Sequence, residues 1–410
     1  MSHDPKDFQE KLQNVQNEAG RLPAIEDAQR IHCEQLQAKI RDEMSRHKGV
    51  ISFEHYMRMA LYEPGLGYYT SAQDKLGEQG DFITAPEISP LFGRCLANFC
   101  QHTLTELEEG SILEFGAGSG RMAADILQEL DARDALPVSY LILELSAELQ
   151  ERQHATLAAC VPHLMDRVQW LSSLPEPGFV GIVLGNELLD AMPVHRFRVE
   201  EDGIKTQGVS WSDDKQQFVI TYLDDCPAVI QSVEHIMQTS GSPLAVGYES
   251  ECSLAHGAWV KSVAAMMEQG QLLLIDYGYG RAEYYRPERH MGTLMCHFRH
   301  RAHDDPFQLV GLQDITAYVD FTTVVEKAVE SGMQLQGYTT QCGFLLENGL
   351  ESMMPDVDTV SQQALMAFAQ QVKTLTLPGE MGERFKVMAL SKNMAVALPG
   401  FTLQDQRRGL

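Results

Sequence analysis

Three alternating glycines, Gly116, Gly118 and Gly120, directly follow a short apolar run that contains Glu114 near its end. Glycine has no Cβ, so such a segment can adopt positive φ and let a ligand lie against the backbone, while a helix that begins there presents free N–H groups. This combination is typical of a nucleotide-type cofactor site. The dinucleotide fingerprint Gly-x-Gly-x-x-Gly requires a glycine where this sequence has Arg121, which weakens the nicotinamide interpretation.

The order Glu-x-Gly-x-Gly-x-Gly over residues 114–120 instead resembles the first motif of the S-adenosylmethionine-dependent methyltransferases, whose loop cradles the amino acid end of the cofactor. An ordinary glycine turn before a core helix is the alternative interpretation. The resemblance implies that five residues of the loop contact the cofactor: Glu114, Gly116, Ala117, Gly118 and Gly120.

A second candidate carboxylate, Glu144, ends the next apolar run. Helical spacing of apolar residues between the two runs predicts the order strand, helix, strand. A carboxylate at the end of the second strand can accept hydrogen bonds from both ribose hydroxyls of an adenosine. Glu144 is therefore predicted to bind the cofactor, together with Leu145 and Leu171. The alternative is a carboxylate that only stabilises the start of a helix after Ser146.

Asn186, Glu187 and Asp190 follow the predicted fourth strand, at the sheet edge where open α/β folds bind ligands. If Asn186 caps a short helix that ends before Pro193, the two acids share one face of it. Paired carboxylates can hold a planar guanidinium bidentately and point one nitrogen at a sulfonium methyl group. We predict these three residues as catalytic, with Asn186 also contacting the cofactor. The alternative is two acids that merely begin a helix.

A histidine- and cysteine-containing run over residues 290–305 includes potential metal ligands. His297, His300 and His303 recur every third residue, which spreads the imidazoles around a helix, and no second cysteine joins Cys296 in a structural zinc set. We therefore predict no metal site here, and expect a polar loop over the active cleft.

Composition limits the partners and the location. With 410 residues and 44% hydrophobic content, the chain is long for one doubly wound domain, so an insertion is expected. The 57 acidic residues outnumber 32 basic ones, and the net charge of −25 opposes nucleic acid binding. Scattered cysteines, no secretory signal and no apolar stretch of membrane-spanning length predict a cytoplasmic protein.

Taken together, the motifs resemble the MidA-like family of class I methyltransferases, which includes the mitochondrial protein arginine methyltransferase that assists assembly of respiratory complex I. The resemblance extends over about residues 51–392. It is carried by segments 80–89, 114–120, 185–191, 292–321 and 382–388.

This resemblance implies an α/β, seven-stranded Rossmann-like fold that ends in an antiparallel pair, residues 334–338 with 385–390. It also implies S-adenosyl-L-methionine as the cofactor, methylation of a protein arginine as the activity, and a lid beside the cofactor formed by Gly80, Asp81 and Thr84. The expected domain organisation is an N-terminal helical extension (1–48), the first part of the core with the lid (49–194), an inserted α+β subdomain (195–267), the second part of the core (268–395) and a C-terminal tail (396–410).

The sequence departs from the mitochondrial members at its start. A mitochondrial leader is rich in arginine and poor in acids, whereas Asp4, Asp7 and Glu10 occur here, so a bacterial cytoplasmic member is expected. A respiratory complex subunit is one candidate protein substrate, and homodimerisation is left open. Two other functions stay in view: an assembly or binding factor that retains the cofactor pocket without transfer, and a small-molecule methyltransferase.

Overall fold

The computed structural model describes residues 22–71, 84–107, 109–223, 226–356, 360–394 and 398–410. The strands within these residues are β1 (Val50–Ser52), β2 (Ser111–Phe115), β3 (Tyr140–Leu143), β4 (Val168–Leu171), β5 (Phe179–Asn186), β6 (His195–Glu200), β7 (Gly203–Ser212), β8 (Gln217–Tyr222), β9 (Glu249–Cys252), β10 (Met267–Tyr279), β11 (Met295–Phe298), β12 (Arg301–His303), β13 (Asp314–Thr316), β14 (Val319–Asp320), β15 (Gln334–Thr340) and β16 (Phe385–Lys392).

The α-helices within the same residues are α1 (Asp27–Arg46), α2 (Phe53–Tyr62), α3 (Ala85–Ile88), α4 (Pro90–Thr105), α5 (Arg121–Asp131), α6 (Ala147–Cys160), α7 (Pro227–Thr239), α8 (Leu254–Met266), α9 (Arg281–Tyr284), α10 (Phe321–Glu330), α11 (Gln341–Glu347) and α12 (Gln362–Thr376). None of these helices combines the length and the hydropathy needed to span a bilayer.

A central, mostly parallel sheet organises the molecule, with the order β15-β16-β10-β5-β2-β3-β4 and the short strand β14 beside β10. Strand β16 lies antiparallel between β10 and β15. The predicted Rossmann-like fold and its final antiparallel pair are confirmed. Because the other strands of the main path run parallel, the carboxyl ends of β2, β3, β5 and β10 meet at one edge of the sheet.

The core strands are apolar on both faces because helices cover both sides of the sheet. Neighbouring residues of β2 alternate between two clusters: Ile112 belongs to one and Leu113 to the other. Ile182 and Val183 of β5 alternate in the same way. This period of two fixes the register, and with it the positions of the residues that follow each strand.

A second, antiparallel sheet has the order β1-β7-β6-β9, with β8 paired to β7. Val209 of β7 and Phe218 of β8 are buried in the apolar cluster beneath this sheet. Strand β1, which precedes the core, joins this sheet by pairing with β7, a contact that the sequence did not predict. The inserted α+β part is therefore present, whereas the exact domain boundaries stay a prediction.

The run over residues 290–305 forms strands rather than the expected polar loop. Strands β12, β11 and β13 make a three-stranded sheet in which Cys296 is fully buried. Cys296 packs in the apolar cluster that also holds Leu36 and Ile40 of α1. Burial of one side of β11 therefore favours a strand here, although most residues of the run are polar.

Candidate active site

The glycine loop leaves β2 in a conformation open to a ligand. Gly116, Gly118 and Gly120 have φ angles of +63°, +53° and +81°, and Gly120 caps α5. Among the described residues, and apart from Gly116 and its two chain neighbours, no atom lies within 4 Å of the position that a Cβ of Gly116 would occupy. The loop therefore has both the left-handed backbone and the open space that a cofactor lying against the chain requires.

Glu114 lies beneath this loop and is 1% exposed. The Tyr140 hydroxyl donates a hydrogen bond of 2.6 Å to Glu114 Oε2. Burial is the main reason that the pKa of Glu114 is raised to about 7; the bond from Tyr140 opposes this rise and the charge of Glu144 adds to it. A cationic group bound beside Glu114 would favour its ionised form, as the amino group of an amino acid moiety would.

Glu144 is the first residue after β3, where the sequence places it, and it is buried. Its Oε1 accepts the Ser146 N–H at 2.9 Å, and its Oε2 accepts a bond of 3.1 Å from Gln153 Nε2. These bonds orient the carboxylate, and a carboxylate oxygen can accept more than one hydrogen bond. The arrangement is compatible with ribose binding.

Gln153 connects the glycine loop to Glu144. Its Nε2 also donates to the Gly118 carbonyl at 3.1 Å, and its Oε1 accepts the Trp170 indole N–H at 2.9 Å. Sequence reasoning missed Gln153 because a polar residue on a helix has no distinctive spacing. Its burial, 0% exposed, is what marks it as a positioning residue.

The remaining predicted cofactor contacts differ in how far the structure describes them. Leu145 is 73% exposed beside Glu144, and the Leu171 carbonyl accepts the Glu144 N–H at 3.3 Å, so both lie at the same edge. Thr84 is the residue before α3. Gly80 and Asp81 lie outside the described residues, so the lid contacts stay a prediction.

The predicted short helix capped by Asn186 is wrong. Strand β5 continues through Asn186 because its pairing with β10 extends to Ile275. The following residues form a turn in which Glu187 has φ of +49° and its N–H donates to the Ile275 carbonyl at 2.9 Å. Glu187 and Asp190 are still brought together, since the charge of Asp276 raises the pKa of both acids and the charge of Glu187 raises the pKa of Asp190.

Asp276 of β10 holds this turn in place. Its Oδ2 accepts the backbone N–H groups of Leu188, Leu189 and Asp190 at 3.1, 2.8 and 3.3 Å. Asp276 thus supplies from a neighbouring strand the capping that was expected from Asn186. The sequence shows Asp276 only as the end of a buried strand, although the edge argument used for Glu144 applies to it equally.

The acids at this edge form an electronegative cluster. Burial, then the charge of Asp276, raises the pKa of Glu187 to about 8. Burial also raises the pKa of Asp190 well above its usual range, with contributions from Asp276, Glu187 and Asp314. In the described part of the chain, no lysine or arginine forms an ion pair with Glu187, Asp190 or Asp276. Their ionised forms would be favoured by a bound cation.

Aromatic side chains line the cluster. The Tyr62 hydroxyl donates to the Ala191 carbonyl at 2.9 Å, and the Tyr62 and Tyr69 rings stack with centroids 5.3 Å apart. The Tyr69 hydroxyl donates to Asp314 Oδ1 at 3.0 Å. In the sequence, Tyr62 and Tyr69 stand out only as aromatic residues within a proline- and glycine-containing segment that favours turns.

The arrangement fits S-adenosylmethionine on three independent observations. The space above Gly116 is open, Glu144 is held at the end of β3, and the buried Oδ1 of Asn186 has no hydrogen-bond partner within the described residues. An open α/β sheet with these features at its carboxyl edge defines a class I S-adenosylmethionine-dependent methyltransferase.

Comparison with known proteins agrees with this class. Residues 92–339, more than half of the chain, match the family model described as "Putative S-adenosyl-L-methionine-dependent methyltransferase", and the chain belongs to this family. The MidA-like resemblance is thereby confirmed.

A crystal structure of a Burkholderia thailandensis protein bound to S-adenosyl-homocysteine is 40% identical to this chain, covers 95% of it and 100% of its own chain, and superimposes with a TM-score of 0.89. A native crystal structure of a protein from the same organism superimposes with a TM-score of 0.87, at the same identity and coverage. The mitochondrial protein arginine methyltransferase NDUFAF7 of Danio rerio is 29% identical over 382 residues, 85% of each chain. The Homo sapiens protein is 26% identical over 385 residues, 83% of this chain and 80% of its own.

A methyl group added at Gly116 tests the cofactor cradle. We expect Gly116→Ala to weaken S-adenosylmethionine binding by more than about tenfold, because the new Cβ would occupy the space that the ligand needs. Titration calorimetry measures the dissociation constant. Gly241→Ala is the matched control, since Gly241 also has positive φ and open space around its Cβ position. Equal affinity of the Gly116 variant and the control would contradict the assignment.

The raised pKa of Glu187 predicts that the stability of the folded protein depends on pH. The pKa of Glu187 is about 8 in the folded protein against 4.5 ordinarily, so between about pH 5 and 8 the folded chain keeps a proton that the unfolded chain has lost. The free energy of unfolding should therefore fall as the pH rises through this window. We expect Glu187→Gln to reduce that fall by on the order of 4 kcal/mol.

Urea denaturation of the ligand-free protein at pH 5 and pH 8.5 measures this difference. Glu151→Gln, at an exposed position on α6, is the control and should leave the fall unchanged. An equal fall in the wild type and in Glu187→Gln would show that Glu187 ionises normally in the folded protein.

Proposed function

We propose that this methyltransferase methylates a guanidino nitrogen of arginine in a protein substrate. The observation that carries the proposal is the acid cluster beside the cofactor cradle, in which Asp190 and Asp276 are buried and Glu187 is partly exposed. Within the described residues, none of the three forms an ion pair with a lysine or arginine. A guanidinium stays charged at neutral pH and has five donors in one plane, so it suits two neighbouring carboxylates.

Each part of the cluster has a task in this proposal. Glu187 and Asp190 accept N–H bonds from the guanidinium and aim one nitrogen toward the cofactor edge, while Asp276 keeps their turn rigid. S-adenosylmethionine, when bound, supplies an electrophilic methyl group. Such orientation can contribute on the order of 7 to 11 kcal/mol to lowering the barrier.

Glu187 is also suited to handle the proton. A guanidinium nitrogen that gains a carbon substituent must lose one N–H proton. The bound guanidinium keeps Glu187 ionised, and this carboxylate, whose pKa is about 8 in the ligand-free protein, can accept the released proton before it passes to solvent. The stacked rings of Tyr62 and Tyr69 lie near Asp190, since burial and then nearby charges that include Asp190 raise the pKa of both hydroxyls.

The relatives support the substrate class. NDUFAF7 of Danio rerio and of Homo sapiens carry the name protein arginine methyltransferase, at 29% and 26% identity to this chain. The acidic composition, 57 acidic against 32 basic residues, also favours a basic protein partner. A respiratory complex subunit as substrate, a homodimer and a cytoplasmic location stay predictions.

A transfer assay with tritiated S-adenosylmethionine and cell lysate tests the proposal. We expect label in protein bands that depends on this enzyme. Label confined to small metabolites would instead support a small-molecule methyltransferase. Cofactor binding without any transferred label would support an assembly or binding factor that retains the pocket.

A further inference from the structure

A separate group of potential metal ligands lies at the junction of α1 and α2. Glu43 and His47 are on or directly after α1, and His55 is in the first turn of α2. The ring nitrogens of His47 and His55 approach the same oxygen, Glu43 Oε1, at 3.1 and 3.6 Å. The three ligand atoms all lie within 4.8 Å of one another.

The two separations from Glu43 Oε1 are close to those between ligand atoms around a tetrahedral ion. Zinc binds histidine nitrogen at about 2.0–2.1 Å and carboxylate oxygen at about 2.0–2.2 Å, so ligand atoms at tetrahedral angles are about 3.3–3.5 Å apart. The measured 3.1 and 3.6 Å lie on either side of this range. An ion could therefore enter with only small movements of the side chains.

The ligand types favour one class of metal. Two imidazoles with a single carboxylate suit zinc and neighbouring first-row ions, whereas magnesium and calcium prefer sites made of oxygen.

The backbone holds the three residues in place. Glu43 and His47 are one helical turn apart, and the Ser52 hydroxyl caps α2 by accepting the His55 N–H at 3.0 Å. Two arginines lie close by, but each also pairs with another acid. Arg46 bonds Asp42 as well as Glu43 Oε2, and Arg58 lies 3.4 Å from Glu54.

We propose that Glu43, His47 and His55 bind a zinc-class divalent cation at a site distinct from the active site. A cavity of about 400 Å³ lined by Glu43, His55 and Tyr62 adjoins the site and gives room for a water ligand in the fourth position. The ion would fasten α1 to α2, the helix that carries Tyr62 to the acid cluster.

Zinc titration of the untagged full-length protein against a chromophoric chelator tests the proposal. We expect the wild type to bind one zinc ion. Each of the variants Glu43→Gln, His47→Ala and His55→Ala should lower the zinc affinity by more than about tenfold. Excess magnesium should not displace it. The matched control is His163→Ala, because His163 lies 2.9 Å from Asp131 and forms a histidine–carboxylate pair that no third potential ligand joins within the part of the chain that the structure describes.

The melting temperature is the second readout. Zinc should raise it in the wild type and in His163→Ala, and should leave it unchanged in His47→Ala combined with His55→Ala. Failure of the wild type to bind zinc, or equal zinc affinity in the three ligand variants and the wild type, would overturn the proposal. Neither result depends on methyl transfer, so the active-site assignment is tested separately.

Discussion

Glu187→Gln should reduce kcat/KM for methyl transfer by about 10²–10³-fold while leaving the affinity for S-adenosylmethionine within a few-fold of the wild type. The substitution keeps the size and the bond from Asn186 but removes the negative charge that the guanidinium requires. It also removes the group that can take the released proton. Because the cofactor cradle is built from other residues, binding and transfer should separate.

Two measurements establish this separation. Titration calorimetry gives the cofactor affinity, and transfer of tritiated methyl to lysate protein gives the rate. Glu151→Gln, an exposed glutamate on α6, should match the wild type in both. Intact transfer by Glu187→Gln would exclude the proposed binding of the guanidinium by the Glu187 carboxylate.

Glu144→Ala should raise the dissociation constant for S-adenosylmethionine by about 100-fold. Hydrogen bonds to a charged group contribute about 1.5–3 kcal/mol each, and the variant would lose the acceptor for two ribose hydroxyls. Removing the carboxylate also releases Gln153, which joins Glu144 to the Gly118 carbonyl. The loss should therefore appear in cofactor binding first and in transfer as a consequence.

Glu148→Ala is the matched control, since Glu148 is an exposed acid in the first turn of α6, the helix that follows Glu144. It should bind the cofactor like the wild type in titration calorimetry. If Glu144→Ala also bound the cofactor normally, Glu144 would only stabilise the start of α6 through its bond with the Ser146 N–H. The alternative interpretation of the sequence would then be correct.

The glycine loop and the place of Glu144 could be predicted from the sequence because both depend on local signals. Alternating glycines after an apolar run predict a strand that turns into a helix, and α5 begins at Arg121. The end of the next apolar run places Glu144 at the edge of the sheet, where β3 ends.

The conformation around Glu187 could not be predicted in the same way. The pairing of Asn186 with Ile275 extends β5 by contacts nearly ninety residues away, and this tertiary pairing overrides the local preference for a capped helix. Asp276 and Asp314 reach the site from distant strands, so spacing along the chain does not link them to Glu187. Their carboxylates nonetheless decide the electrostatics of the acid cluster.

The identity of the methylated amino acid tests the central claim most directly. Protein bands labelled from tritiated S-adenosylmethionine are cut out and hydrolysed in acid, and the labelled amino acids are separated. The paired acids Glu187 and Asp190 predict label in methylarginine, and this label should be absent from bands incubated with Glu187→Gln. Label in methyllysine or methylhistidine with no methylarginine would contradict the account, as would label that mild base releases from the bands before hydrolysis, since that is the behaviour of a methyl ester.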